Sequence, residues 1–261
     1  MKKVLTIAGS DCSGGAGIQA DLKTIMAHGC YGMSVITAIT AQNTKGISMV
    51  EKCSKEIIKS QLDAIFQDIM PDAVKIGMMS SASTIESVVE KLKLYNPKNI
   101  VLDPVLISTS GTKLLDEDAI AVLKNELFPI VTLITPNVDE AEYISGIKII
   151  DKKTVEESAK KLREKYACNV LIKGGHLKEE PHDFLITEKE EIWYEGKRIQ
   201  NKNTHGTGCT LSSSIASNLA LGYEISGSVK KSKEYINGAI ASNLNIGEGR
   251  GPLNHSYMMF K

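Results

Sequence analysis

Short runs of β-branched and aliphatic residues alternate along the chain with longer segments in which apolar positions recur at helical spacing. The short runs predict strands at Val4–Ala8, Ser34–Thr40, Ala73–Ile76, Asn99–Leu102, Val131–Thr135 and Val170–Lys173. The longer segments predict helices at Gly17–His28, Lys55–Ile69, Ala82–Leu94, Glu117–Leu127, Val138–Ser145, Thr154–Lys165 and Gly208–Ala220. Strand followed by helix, repeated along the whole chain, implies βαβ units and a mostly parallel sheet covered on both faces. Phe184–Ile186 and Glu191–Tyr194 flank a charged turn and read as an antiparallel hairpin on one edge. A last helix, about Ser226–Gly247, is expected to close the domain. No repeat, linker or low-complexity tract interrupts the pattern, so residues 1–261 read as one α/β domain.

Ligands of open α/β sheets sit beyond the carboxyl ends of the strands. Glycine and polar residues follow six predicted strands here: Gly9-Ser10-Asp11, Gln42-Asn43, Gly77-Met78, Asp103-Pro104, Pro136-Asn137 and Gly174-Gly175-His176. Each could be a plain strand-to-helix turn, but their common placement points to a site. The most informative segment is Asn203-Thr204-His205-Gly206-Thr207-Gly208-Cys209-Thr210, which runs into the small residues of a predicted helix. Its successive amides can converge at a helix N-terminus and form an anion site. Cys209 lies in the same turn, where the thiolate is expected to be favoured. The alternative is a tight turn and cap with an inert cysteine. The segment is not a P-loop, and the glycines between Gly9 and Asp21 do not form a dinucleotide fingerprint.

The 261 residues carry 31 basic and 31 acidic side chains, so bulk electrostatics does not recruit nucleic acid or an anionic membrane. Any phosphate recognition is therefore local. The five cysteines (Cys12, Cys30, Cys53, Cys168, Cys209) are scattered, without zinc spacing, and fit a reduced cytoplasmic compartment. The residues before Val4 are too few for a signal peptide, and no apolar run reaches the length of a membrane span.

Seven segments in register closely resemble one family. They are Gly9–Asp21, Ala41-Gln42-Asn43-Thr44, Lys75-Ile76-Gly77-Met78, Leu102-Asp103-Pro104-Val105, Ile134–Ala141, Lys173-Gly174-Gly175-His176 and the Thr204–Thr210 turn. The chain resembles the hydroxymethylpyrimidine/phosphomethylpyrimidine kinases of thiamine biosynthesis, enzymes of ribokinase-like fold. That resemblance implies an ATP- and Mg²⁺-dependent kinase that phosphorylates 4-amino-5-hydroxymethyl-2-methylpyrimidine and then its monophosphate. It also implies a homodimer. By the same resemblance Gly206, Thr207 and Gly208 form the anion hole, and Cys209 is the catalytic group. Lys173, Asn137 and Thr207 meet the ATP phosphates, while Glu140 and Asp103 serve the metal. Gln42, Ala16, Met78, Val105 and Asp11 surround the substrate ring.

Gln42 carries the substrate assignment, because an amide donates and accepts at once and so matches an aminopyrimidine edge. The related pyridoxal-phosphorylating branch usually has a methionine there, which leaves pyridoxal/pyridoxine kinase as the alternative. Sugar kinases of this fold show a carboxylate where this chain has Cys209. The helix N-terminus is expected to lower the pKa of that thiol enough for it to take the alcohol proton. A thiol hydrolase built on Cys209 and His205 is a reading from another class, and it leaves Asn137, Glu140 and Lys173 without a purpose. His176 and His205 could each face a phosphate or be structural. Candidate lids are Ile107–Lys113 and Gly175–Pro181, and the glycine-rich tail departs from the family in carrying Glu248 where histidine is common.

Overall fold

The computed structural model describes residues 1–106, 115–176 and 181–259. The strands are β1 (Lys3–Asp11), β2 (Tyr31–Asn43), β3 (Gly46–Lys52), β4 (Ala73–Ile76), β5 (Ile100–Leu102), β6 (Leu133–Ile134), β7 (Asn169–Ile172), β8 (Asp183–Ile186) and β9 (Glu191–Tyr194). The helices are α1 (Gly17–Ala27), α2 (Lys55–Asp68), α3 (Ala82–Tyr95), α4 (Glu117–Val122), α5 (Val138–Ser145), α6 (Lys152–Tyr166), α7 (Thr207–Ala220) and α8 (Ile225–Ala241). One sheet runs β3-β2-β1-β4-β5-β6-β7-β8-β9. Neighbours from β2 through β7 pair in parallel, while β3 at one edge and β8 and β9 at the other are antiparallel. The ribokinase-like α/β class expected from the sequence is therefore the one observed.

Alternation along the strands splits the core. Leu5, Ile7, Val74, Ile76, Ile100, Leu102, Val170 and Ile172 face the layer of α2, α3, α4 and α6. Val4, Ala73, Val101, Leu133 and Leu171 face the layer of α1, α7 and α8. Strands buried on both sides read as continuous apolar runs, which is why they were legible. Ser54, Ser81, Asp116 and Asp151 start α2, α3, α4 and α6 by accepting a backbone N–H with their side chains.

Some boundaries differ from the sequence reading. The strand β3 was not foreseen: it lies on an edge with most of its side chains exposed, so no apolar alternation marks it. The helix expected at Glu117–Leu127 is regular only to Val122, then widens into a π turn at Leu123–Leu127 and a short 3-10 turn at Phe128–Ile130. Pro129, which has no N–H to give, ends the regular ladder there. The last helix stops at Ala241 rather than near Gly247, because Asn243, Asn245 and Gly247 adopt positive φ.

One charged pair crosses the α1/α7 side of the core. Lys75 on β4 and Asp21 on α1 are both fully buried, with Nζ 2.9 and 2.8 Å from the two carboxylate oxygens. Asp21 also accepts from Thr6 of β1 and Ser213 of α7, each at 2.6 Å. Asp21→Asn leaves the Lys75 charge uncompensated and is expected to cost about 3–5 kcal/mol in urea denaturation. Asp21→Leu combined with Lys75→Met should cost less than that single change; a larger loss in the double variant would contradict the pairing argument.

Candidate active site

Loops beyond the carboxyl ends of β1, β2, β4, β5, β6 and β7 meet the first turn of α7 around a cavity of about 150 Å³. Its lining includes Asp11, Ala16, Gln42, Met78, Asp103, Val105, Asn137, Glu140, Lys173, Gly206, Gly208 and Cys209. Residues spread over most of the sequence are thus brought to one place. Thr207 is the expected residue missing from that lining; its hydroxyl instead donates to the Thr204 carbonyl at 2.8 Å.

At one end, the glycine-rich loop folds around a carboxylate. Asp11 Oδ1 accepts from the Ser13 amide (2.8 Å) and hydroxyl (2.7 Å). Its Oδ2 accepts from the Gly15 and Ala16 amides at 3.1 and 2.8 Å and lies 2.9 Å from His205 Nε2. Burial opposes this charge, but the hydrogen bonds from His205, Ser13 and Ala16 prevail, and the carboxyl falls from 3.8 to about 2. Asp11 therefore organises the loop, and it also lines the cavity.

Gln42 stands close by at the end of β2, where the ladder with β3 shifts register between Ala41 and Gln42. Such a bulge re-aims a side chain. The Gln42 amide lies 3.1 Å from Thr40 Oγ1 and 3.2 Å from His205 Nε2. Ile47, Met78 and Val105 supply apolar wall. Val105 has φ 43°, a conformation that is strained for a β-branched residue.

The other end is ionic. Lys173 Nζ lies 2.7 Å from Asp103 Oδ1, with both side chains largely buried. Burial works against the Lys173 charge, but Asp103 and Glu140 outweigh it and hold the ammonium above its ordinary pKa. Asn137 and Glu140 form a capping box at the start of α5: Asn137 Oδ1 accepts the Glu140 amide and Glu140 Oε2 accepts the Asn137 amide, each at 2.9 Å. Glu140 Oε1 accepts the Leu106 amide at 3.1 Å. Burial pushes the Glu140 carboxyl up, and Asp103 adds to this, against Lys173 and the backbone donors. Among the described residues, no cluster of three or more His, Cys, Asp or Glu side chains forms a ready metal cage.

The turn before α7 joins the two ends. Gly206 caps the helix at φ 81°, and a Cβ there would sit 1.9 Å from the Gly15 carbonyl oxygen. A Cβ on Gly208 would lie 3.0 Å from Asp103 Oδ2 and 3.4 Å from Lys173 Nζ, so its absence keeps the ionic end open. Gly208 and Cys209 lie in the first helical turn, whose amides have no preceding helical carbonyl to bond. Cys209 departs from expectation. Burial pushes its thiol above the ordinary value, and Asp21 and Asp103 reinforce this, against Lys75 and the Gly17 amide. The resting group is a neutral thiol.

The sequence alone leaves His205 open between phosphate contact and structure. Its ring engages Asp11 and Gln42, which is not the Cys209 partnership a thiol hydrolase would need. Thr40 and Ile47 also line the cavity, and no sequence pattern marks them, Ile47 because its strand β3 carries no apolar alternation. Glu248 pairs with Lys45 Nζ at the surface, while Gly249 and Arg250 amides donate to Thr44, so the tail straps the β2–β3 turn. The candidate lid Ile107–Lys113 lies outside the described residues, as do residues 177–180 of the Gly175–Pro181 segment and the side chain of His176.

Residues 11–254 match the family model of phosphomethylpyrimidine kinase. The chain is 46% identical over 261 residues to a hydroxymethylpyrimidine/phosphomethylpyrimidine kinase of Rhizobium meliloti, covering 98% of each protein. It is also 46% identical over 260 residues to the thiamine biosynthesis bifunctional protein ThiED of Geobacter sulfurreducens, and spans about half (52%) of that longer protein. Among solved structures, an ADP complex of Bacillus subtilis pyridoxal kinase aligns over 100% of both chains with a TM-score of 0.92 at 36% identity.

The depressed Asp11 carboxyl has a consequence for stability. Its contribution, about 2 kcal/mol, is fully present above pH 3.8 and is lost as pH falls through about 2. Unfolding free energies measured from pH 5 to pH 2 should therefore fall less steeply in Asp11→Asn than in the unaltered protein; parallel curves would contradict the assignment.

Proposed function

The chain belongs to the phosphomethylpyrimidine kinase family, and we propose that it transfers the γ-phosphoryl group of ATP to 4-amino-5-hydroxymethyl-2-methylpyrimidine and then a second phosphoryl group to the monophosphate. The observation that carries this reading is one cavity with an amide at one end and an ionic, amide-lined turn at the other. Gln42 offers the donor and acceptor that an aminopyrimidine edge complements. Met78, Val105 and Ile47 cover the ring, and the Ala16 backbone closes that side. Gly206, Thr207 and Gly208 shape the anion hole, to which the first-turn amides of α7 contribute.

In the first step the substrate hydroxyl oxygen bonds to the γ-phosphorus, and the bond from that phosphorus to the bridging oxygen breaks, its electron pair leaving with ADP. The hydroxyl proton passes to the Cys209 thiolate. Lys173 neutralises the phosphates as a point charge, with Asn137 beside it at the start of α5. Magnesium, when bound with ATP, offsets phosphate charge. The residues fit an ion that is held chiefly by phosphate and water: Asp103 Oδ2 faces the space left by the missing Cβ of Gly208, and Glu140 stands beside it. In the second step the nucleophile is the phosphate of the first product, already anionic and in no need of a base.

The expected cytoplasmic setting is supported by the five free cysteines. Exposed Ile39, Met49 and Val50 on the β2–β3 ribbon favour the expected homodimer, with residues 1–261 of each copy acting as a single domain.

Products of the protein with Mg-ATP and the pyrimidine alcohol, followed by mass, should appear as mono- and then diphosphate. Turnover of pyridoxal in place of the pyrimidine would move the chain to the alternative activity. Cys209→Ala should slow the first step by about 10²–10⁴-fold and the second much less. Because burial raises the thiol and the thiolate is the working form, the first step should accelerate as pH rises above neutrality while the second changes little. Equal losses in both steps would refute the role of Cys209.

A further inference from the structure

The proton count around Gln42 does not balance with its amide as placed. Thr40 has one hydroxyl hydrogen, yet its Oγ1 faces two acceptors, the Ser10 carbonyl at 3.0 Å and Gln42 Oε1 at 3.1 Å. His205 Nε2 lies 2.9 Å from Asp11 Oδ2 and 3.2 Å from Gln42 Nε2. The carboxylate can only accept, so His205 Nε2 must carry a hydrogen. That hydrogen then points into the same region as the donor hydrogens of the Gln42 amide. Both conflicts disappear together if the amide is turned over. Thr40 then donates to Ser10 and accepts from the Gln42 amide nitrogen, and His205 Nε2–H is shared between Asp11 and the Gln42 oxygen. Oxygen and nitrogen ends of an amide are assigned in this way, from the network around them.

We propose that Asp11 and His205 are positioning residues for substrate recognition: Asp11 fixes the His205 tautomer, and His205 with Thr40 fixes which end of the Gln42 amide faces which way. Once both ends are committed, one N–H and one oxygen lone pair of Gln42 remain for the cavity, in a fixed order. A ligand edge bearing an amine beside a ring nitrogen fits one order only. The chain already holds His205 in place for this purpose: its amide donates to the Gly251 carbonyl at 3.1 Å, and a Cβ on Gly15 would lie 2.3 Å from its ring. Cys12 holds the Gln42 backbone in turn, its Sγ donating to the Gln42 carbonyl at 3.1 Å. This inference rests on the reading of Gln42 as the contact for the pyrimidine edge.

Two measurements test it. Long-range ¹H–¹⁵N spectra of the unaltered protein should show the His205 tautomer with Nε2 protonated; a bare Nε2 would overturn the proposal, whatever the substrate. Calorimetric titration would then compare 4-amino-5-hydroxymethyl-2-methylpyrimidine with its analogue lacking the 4-amino group. The unaltered protein should prefer the amine by about 10- to 100-fold. His205→Phe keeps the ring but loses the donor, and should collapse that preference by weakening the amino compound alone. His205→Gln, which can return an Nε2–H, should restore most of it. Equal weakening of both ligands in His205→Phe would overturn the positioning role. No preference in the unaltered protein, with the tautomer as stated, would instead refute the reading of Gln42 as the pyrimidine contact.

Discussion

The buried pair between Lys75 and Asp21 constrains the rest of the molecule. Two opposite charges with no solvent exposure gain little net stability over apolar residues of the same shape, but each is costly alone. The pair therefore acts on arrangement. Asp21 also takes hydrogens from Thr6 and Ser213, so β1, β4, α1 and α7 have one mutual placement in which every partner is satisfied. The glycine-rich loop opens into α1 and the anion turn opens into α7. Their close approach, seen where Gly206 backs onto the Gly15 carbonyl, follows from that shared anchor. Cys209 sits in the first turn of α7 and feels Lys75 as its strongest favourable charge.

How much of this was legible depended on whether a residue's partners are set by local pattern. Strands buried on two faces announce themselves through continuous apolar runs, so β1, β4, β5 and β7 were read nearly as they are. The strand β3 leaves Met49 and Val50 exposed and pairs with β2 alone among the described strands, so its sequence resembles a loop. The end of α8 was overestimated because the residues from Ser242 to Gly247 carry no proline to stop a helix. Their positive φ angles belong to the tail that packs on Thr44, some 200 positions earlier in the chain.

The site shows the same division. Glycines at Gly206 and Gly208 and the cysteine between α7's first amides could be read from spacing. The Asn137-x-x-Glu140 signature was also visible, but its meaning is double: both residues cap α5, and the same geometry holds the Glu140 carboxyl at the cavity wall. Structural and functional readings do not compete there, since the cap is what aims the side chain. The place of His205 could not be derived locally. Its partner Asp11 is 194 positions away, and only the crossover from the first strand to the last layer brings them together. Thr207 shows the opposite case: its hydroxyl is turned back to Thr204, so what it can offer an anion is its place in the first turn of α7.

The electrostatics of the ionic end give a reason for a thiol at position 209. Asp21, Asp103 and Glu140 already stand against Lys75 and Lys173 in a volume with little water to screen them. The rise of the Glu140 carboxyl is the signature of that crowding, because burial and Asp103 both act against its charge. A permanent carboxylate at 209 would add a further negative charge beside Asp21 and Asp103, where the ATP phosphates must also enter. A thiol that is neutral at rest adds none and still offers a proton acceptor once it ionises. The feature that keeps Cys209 protonated, its burial among acids, is thus what lets two successive anionic ligands approach it.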